Sequence, residues 1–199
     1  MKHAQAADRA VEKRNPRHTD VWRAGPPGSE IRFVLRHLLF AEISGHVGRW
    51  NATLTLDRHE QSLSSVEVVI DAASLESGAT ERDNHMRSAG FLDVSTYPNI
   101  RFRSQAIRAT HGDRRFVVVG ELTIRDVKRE VMLEVRREGV PARLVRAQGG
   151  KLIFTARAAI SRADFGLRWH EELDRGGLVA GDRVDLEMTI EAQRRRPGS

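Results

Sequence analysis

The sequence predicts an all-β protein, an eight-stranded antiparallel barrel, and three observations carry that expectation. Apolar and polar residues alternate in about eight separate runs, the mark of strands with one face buried. Only one short segment has a helical pattern. The chain, at 199 residues and 40% hydrophobic, is long enough to bury one substantial core. A single-faced sheet must cover its apolar side. With so little helix at hand, the economical solution is closure of the sheet on itself, which also removes edge strands. A two-sheet sandwich with Greek-key crossings is the competing arrangement.

The first run places Ile31, Phe33, Leu35 and His37 on one face and Arg32 and Arg36 on the other; Phe33 and Leu35 are assigned to the inner wall. In the second, Gly48, Trp50, Ala52, Leu54 and Leu56 face inward, with Trp50 and Leu54 as wall residues. The third, SSVEVVID, turns Val66, Val68 and Ile70 inward and contributes Val68. A helix-like stretch follows. Thr80 with Asp83 fits a capping box, Gly90 serves as a stop, and Asp83 and Arg87 are spaced as an i, i+4 ion pair. Arg82, His85, Met86 and Ala89 share its stripe, and Tyr97-Pro98 forces extended backbone before the fourth strand.

That fourth run puts Ile100, Phe102, Ser104 and Ala106 inward, with Phe102 on the wall. Phe116, Val118, Gly120, Leu122 and Ile124 form the fifth, supplying Phe116 and Val118; Val131, Leu133 and Val135 form the sixth, supplying Leu133. Leu152, Phe154, Ala156, Ala158 and Ile160 make the seventh, with Phe154 and Ala156 on the wall. Val184, Leu186, Met188 and Ile190 complete the eighth, with Leu186 and Met188. Small residues recur on these inner faces, namely Ala52, Ser104, Ala106, Gly120, Ala156 and Ala158. Two readings fit them: a lumen with room for an elongated ligand, or the taper of a packed barrel.

If successive strands run antiparallel, the connectors after strands one, three, five and seven emerge at one end. Three of them are long and apolar: LLFAEISG, the helical segment, and SRADFGLRWHEELDRGGLVAG. The opposite end has DRHEQSLS, RATHGD and EGVPARLVRAQGG, all polar. The expected mouth is therefore the apolar end, with His37, Leu39, Phe40, Arg82, His85, Met86, Phe91, Phe165, Leu167 and Trp169 around it. A plug that completes the core is the alternative for the same segments. Arg82 and His85 are candidate contacts for a polar head, although a structural ion pair is the commoner role for such an arginine, and His37 equally fits a satisfied core histidine.

Charge is concentrated in the tails. Residues 1–29 hold six basic and three acidic residues and 194–196 three arginines, which leaves 24 of each sign in residues 30–193. The expected organisation is a flexible tail over 1–28, a barrel over 29–193 and a basic tail over 194–199. A formally neutral body argues against nucleic acid as partner despite a net charge of +6. The absence of cysteine removes disulfides and thiolate metal sites from consideration. Histidines are scattered without metal spacing, GxSxG is absent, and DFGL at 164–167 lacks the companions of a kinase motif. No catalytic residue, metal or cofactor is called, and no run has the apolar length of a membrane span or a secretory signal, which points to the cytoplasm.

FVLRHLLF, SSVEVVIDAASLESG, ERDNHMRSAGFLDVSTYPNIRFRS, GELTI, ISRADFGLRW and GGLVAGDRVDL together resemble the YceI-like, polyisoprenoid-binding family over roughly residues 29–192. The resemblance implies a lipocalin-like barrel that stores or transports an isoprenoid, or a similar amphiphilic lipid, with transient membrane contact and homodimerisation as further options. An enzyme acting on a lipidic substrate, with His37 or His85 as acid or base and Asp83 or Arg82 orienting, is the alternative, as is a filled, partner-binding barrel. Two stretches depart from the family pattern. GPPGSE keeps only Ser29 of the polar residues usual before the first strand, and Asp126–Glu130 replaces the usual turn after GELTI.

Overall fold

In a computed structural model, the structure describes residues 18–37, 42–111, 114–139, 145, 150–167 and 180–194, with the side chains of Arg36, His37, His111 and Ala180 left out. Eleven strands join in one antiparallel sheet: β1 (Thr19–Ala24), β2 (Glu30–His37), β3 (Glu42–Val47), β4 (Trp50–Asp57), β5 (Ser65–Asp71), β6 (Leu75–Glu76), β7 (Asn99–His111), β8 (Arg115–Ile124), β9 (Val127–Glu138), β10 (Lys151–Ser161) and β11 (Ala180–Arg194). They make eight staves. β1 and β2 are two halves of one stave, bent at Gly25-Pro26-Pro27-Gly28, where the Pro26-Pro27 bond is cis. β3 and β4 form the next, bent at Gly48-Arg49. The ring closes because β11 pairs with both halves of the first stave, with β2 from Glu30 to His37 and with β1 at Trp22 and Arg23. β1 in turn pairs with β4 along its whole length.

This closure corrects the expected domain boundary. Residues 19–24 are not tail. Asp20, Trp22 and Ala24 are all buried, and Trp22 is fully so. The alternation TDVWRA was short and carried one large apolar group, too little for a pattern argument, yet the edges of β4 and β11 supply its hydrogen bonds. At the other terminus Arg194 belongs to β11 and donates to Asp20, which also accepts from Arg58. Where the first stave bends, the ladder to β11 is interrupted, and Ser29 fills the gap: its hydroxyl accepts from the Glu191 N–H at 2.8 Å and donates to the Glu191 carbonyl. That is the role of the one polar residue kept in GPPGSE.

Between β6 and β7 lies α1 (Thr80–Arg87), the one α-helix with described bounds. Its start differs from the expected capping box. The N-cap is Ala79, and Asp83 instead accepts from the backbone N–H and hydroxyl of Ser77, which precedes the helix. The helix also stops earlier, with Ser88 extended at its C-cap. Arg87 donates to the carbonyls of Ala73 and Leu75, which ties the helix to the strand beneath it.

Two irregularities matter for the interior. In β7 the register to β8 shifts between Ser104 and Ala106, so the side that faces inward changes there. Ile107, not Ala106, is the buried residue beyond the shift, and the Ser104 hydroxyl accepts from the Val66 N–H. β9 and β10 are joined by five residue pairs, Glu134–Glu138 against Ile153–Arg157, whereas β10 is paired with β11 over eleven positions and β9 with β8 over ten. Above Arg157 the two staves part, and the turn Ala163–Phe165 packs beside both, with Phe165 buried.

Candidate functional site

The closed sheet is hollow. It surrounds a cavity of about 990 Å³, at the top of the roughly 300–1,000 Å³ range of small-molecule sites. Period-two alternation on every stave aims apolar side chains at it. The wall is built from Phe33 and Leu35 on β2, Trp50 and Leu54 on β4, Val68 on β5 and Phe102 on β7, continuing with Phe116 and Val118 on β8 and Leu133 on β9. Phe154 and Ala156 on β10 and Leu186 and Met188 on β11 complete the circuit. Each of these was an expected wall residue. Ile107 was not, because a register shift leaves no trace in an alternation count. Of the small inner residues, Ala52, Ala156 and Ala158 line the cavity. Gly120 has a different purpose. A Cβ there would sit 2.6 Å from the Arg103 carbonyl oxygen and 2.5 Å from the Phe102 ring, so glycine lets that ring lie flat across β8.

At the end expected to be the mouth, the described residues form a floor. Met86 from α1, Phe91, Leu92, Phe165 and Leu167 are buried in one cluster with Phe33, Ile124 and Val184. The floor is held from outside by Arg125, in the two-residue turn between β8 and β9. Its guanidinium lies over the Tyr97 ring and donates to the Phe91 carbonyl. Met86, Phe91 and Leu167 touch the cavity, but Arg82 and His85 do not line it. Arg82 donates to the hydroxyl and carbonyl of Ser77, and His85 lies against Phe91 with ring centroids 5.5 Å apart. Both were candidate head-group contacts, and both are structural in the described arrangement. The reason is geometric: the stripe they share with Met86 is wide enough to place one residue over the lumen and the others on the flank. Phe165 is buried in the floor without lining the cavity. Leu39, Phe40, Trp169 and the His37 side chain lie outside the described residues.

Polar groups gather at the opposite end. The β4–β5 connector contributes Asp57, Arg58, His59, Glu60, Gln61, Ser62 and Ser64, the end of β7 contributes Arg108, and the end of β9 the buried Arg137. Arg162, at the floor, is the other charged residue on the wall; it donates to the Gly181 carbonyl and lies beside Asp182. The carboxylates at the polar end are committed to the chain. Burial disfavours the charged form of Asp57, but N–H donors from Glu60 and His59, together with the fields of His18 and His59, outweigh it and hold the carboxyl below the usual range. Glu60 accepts from Ser62, and Asp20 is clasped by Arg58 and Arg194. His59 meets His18 edge to face at 5.0 Å. Asp83, the carboxylate of the enzyme alternative, is likewise occupied. Burial works against its charge, and the two Ser77 donors with Arg87 and Arg82 prevail, so its carboxyl also stays low.

Among the described residues no cluster of His, Asp or Glu is placed to hold a metal ion, and no helix is long and apolar enough to cross a membrane. What the geometry defines is a closed antiparallel barrel around an apolar chamber that is polar at one end. The chain belongs to the family of YceI-like domains, whose model matches residues 22–192. It is 31% identical over 162 residues to protein YceI of Escherichia coli, covering 81% of this chain and 79% of that protein. It is 28% identical over 167 residues to a UPF0312 protein of Pseudomonas syringae, covering 83% and 81%. Among solved structures, BcnA of Burkholderia cenocepacia superposes with a TM-score of 0.70 at 22% identity, over 83% of this chain and 96% of that one. A polyisoprenoid-binding domain from Saccharophagus degradans gives 0.63 at 14% identity, over 87% and 98%. The matched span begins at Trp22, in agreement with a barrel that starts at β1 rather than at Ser29.

Proposed function

We propose that this protein binds a long-chain isoprenoid, or a similar amphiphilic lipid, inside the barrel and acts as its carrier or store. The observation that carries the reading is the cavity itself: about 990 Å³ of apolar lumen running from a greasy floor to a polar end. An extended hydrocarbon tail laid along it leaves water at roughly 25 cal/mol per Å² of apolar surface, which is the driving force. The polar end is where a head group finds partners, so the ligand lies head toward the β4–β5 connector and tail toward Met86 and Phe91. The shared fold of a polyisoprenoid-binding domain supports the same class of ligand.

Native mass spectrometry and solvent extraction of the protein purified from its own source test this directly. A stoichiometric lipid is the expected result; a stable protein that carries none and takes up none when offered a prenyl lipid overturns it. Ala156→Phe supplies a second test. Ala156 faces the lumen midway along β10, and a phenyl group there fills the path of the tail while the neighbouring strands keep their ladders. Retention of an extracted lipid should fall at least about tenfold, the loss of roughly 1.4 kcal/mol or more, with the circular dichroism spectrum unchanged.

A further inference from the structure

Resting on that reading, a second inference concerns the surface around the cavity's opening. The residues that both line the cavity and are exposed are Arg58, His59, Glu60, Ser62, Arg108 and Ala109, so among the described residues the lumen reaches solvent at the polar end and not at the floor. Charge divides along the same axis. The described polar-end segments, 18–20, 57–64, 108–110, 114–115, 136–139, 150–151 and 191–194, hold eight basic and five acidic side chains, whereas the floor-end segments 72–98, 125–130, 162–167 and 181–185 hold seven and nine. A formally neutral body is thus polarised. The chain also enters β1 beside His18 and leaves β11 at Arg194, both at the polar end, so residues 1–17, with five basic and two acidic residues, and Arg195 and Arg196 are attached there.

The acidic groups at this end are engaged by the protein itself. Asp20 is clasped by Arg58 and Arg194, Glu191 pairs with Lys151 and Glu138 with Arg136, while Asp57 accepts from its own connector and Glu60 from Ser62. Arg108, Arg114 and Arg115 are exposed and make no ion pair with a described carboxylate. Arg115 also stands directly opposite Arg136 in the β8–β9 ladder, a like-charge juxtaposition that costs stability and that an anion laid over it relieves.

We propose that this rim docks on an anionic lipid bilayer, the source or destination of the cargo, with Arg114 and Arg115 as contacts on the shoulder beside the opening. Basic groups near an anionic membrane surface are drawn to it, and the attraction decays within a Debye length. The acidic excess at the floor end is repelled by the same field, so the molecule approaches opening first. Nucleic acid presents the same sign of charge, but a lumen that opens within the basic surface places the exchange of an apolar cargo where lipid is.

The test is flotation of the full chain with vesicles of phosphatidylcholine alone and of phosphatidylcholine mixed equally with phosphatidylglycerol, beside extraction of bound lipid from the same preparation. Wild type should bind the anionic vesicles at least about tenfold more tightly at low salt, and sodium chloride should remove the margin. Arg114→Gln with Arg115→Gln, neither of which lines the cavity, should cut that margin about fivefold or more while the lipid content stays at the wild-type level. Lys128→Gln with Arg129→Gln, an equal loss of charge at the floor end, should leave the margin as it is. Equal binding to both vesicles, an equal loss in the two double variants, or tighter binding to random-sequence duplex DNA than to the anionic vesicles overturns the docking surface while the lipid reading stands. A chain that docks on anionic vesicles yet neither carries nor takes up lipid overturns the carrier reading, and with it the bilayer as the source of cargo.

Discussion

Asp83 shows what a single side chain does when it is buried beside its own helix. Desolvation favours its neutral form, yet two donors from Ser77 and the fields of Arg87 and Arg82 keep it ionised at lower pH than an ordinary carboxyl. Because the folded value lies below the unfolded one, roughly 3.9, its contribution to stability is fully present above that pH and is lost as pH falls through the folded value. Ser77→Ala removes the hydroxyl donor. The expected cost is about 1–3 kcal/mol by urea denaturation at pH 7, and the difference between wild type and variant should narrow as pH is lowered through the folded value of Asp83 and both lose its charge. A difference that stays constant down to the acid limit of the folded protein assigns the cost to something other than the carboxylate. At this scale the sequence was legible for wall positions and poorly legible for partners. Arg82 and His85 sat on the right helix, but spacing alone does not tell which member of a stripe overlies the lumen. Ser29 carries no signal in the sequence of its pairing with Glu191, because the two are 162 residues apart.

Among the elements, β7 and β8 contain both what alternation reveals and what it hides. The inward series through Ile100, Phe102, Phe116 and Val118 is readable from period two. The register shift at Ser104–Ala106 is not, because a bulge adds one residue without changing composition. It moves Ile107 to the lumen and leaves Ser104 to satisfy the Val66 N–H. Gly120 belongs to the same region, and its need is steric: the Phe102 ring occupies the place a side chain would take. Gly120→Ala should therefore destabilise the fold by about 1–3 kcal/mol, the usual range for overpacking, measured by chemical denaturation. It should also weaken lipid retention, since the ring that must move lines the cavity. A variant as stable as wild type shows that the ring yields at no cost and refutes this account. α1 was legible as a helix because its polar, charged run breaks the alternation; its caps were not, since the Ser77–Asp83 bond reaches across the boundary that a capping box assumes.

For the molecule as a whole, closure of the barrel is the property least legible in the sequence. Eight staves and their antiparallel order were legible, because each stave repeats the same signal. The half-stave β1 was read as tail since six residues with one tryptophan make no period; the edges of β4 and β11 determine its structure, not its own propensity. Trp22→Ala should cost about 3–5 kcal/mol, the range for deleting a fully buried aromatic, and removal of residues 1–28 should leave β4 with a bare edge and lower solubility. Wild-type stability in Trp22→Ala, read from the same denaturation curve, would return residues 19–24 to the tail. β9 and β10, twelve and eleven residues long, are joined by five pairs, as many as join β5 and β7. A hoop yields where two long staves are left mostly unwelded. Strain from an oversized occupant is thus relieved by widening between β9 and β10, beside Phe165 and the outward-facing Met132, while the long β7–β8, β8–β9 and β10–β11 joints keep their girth.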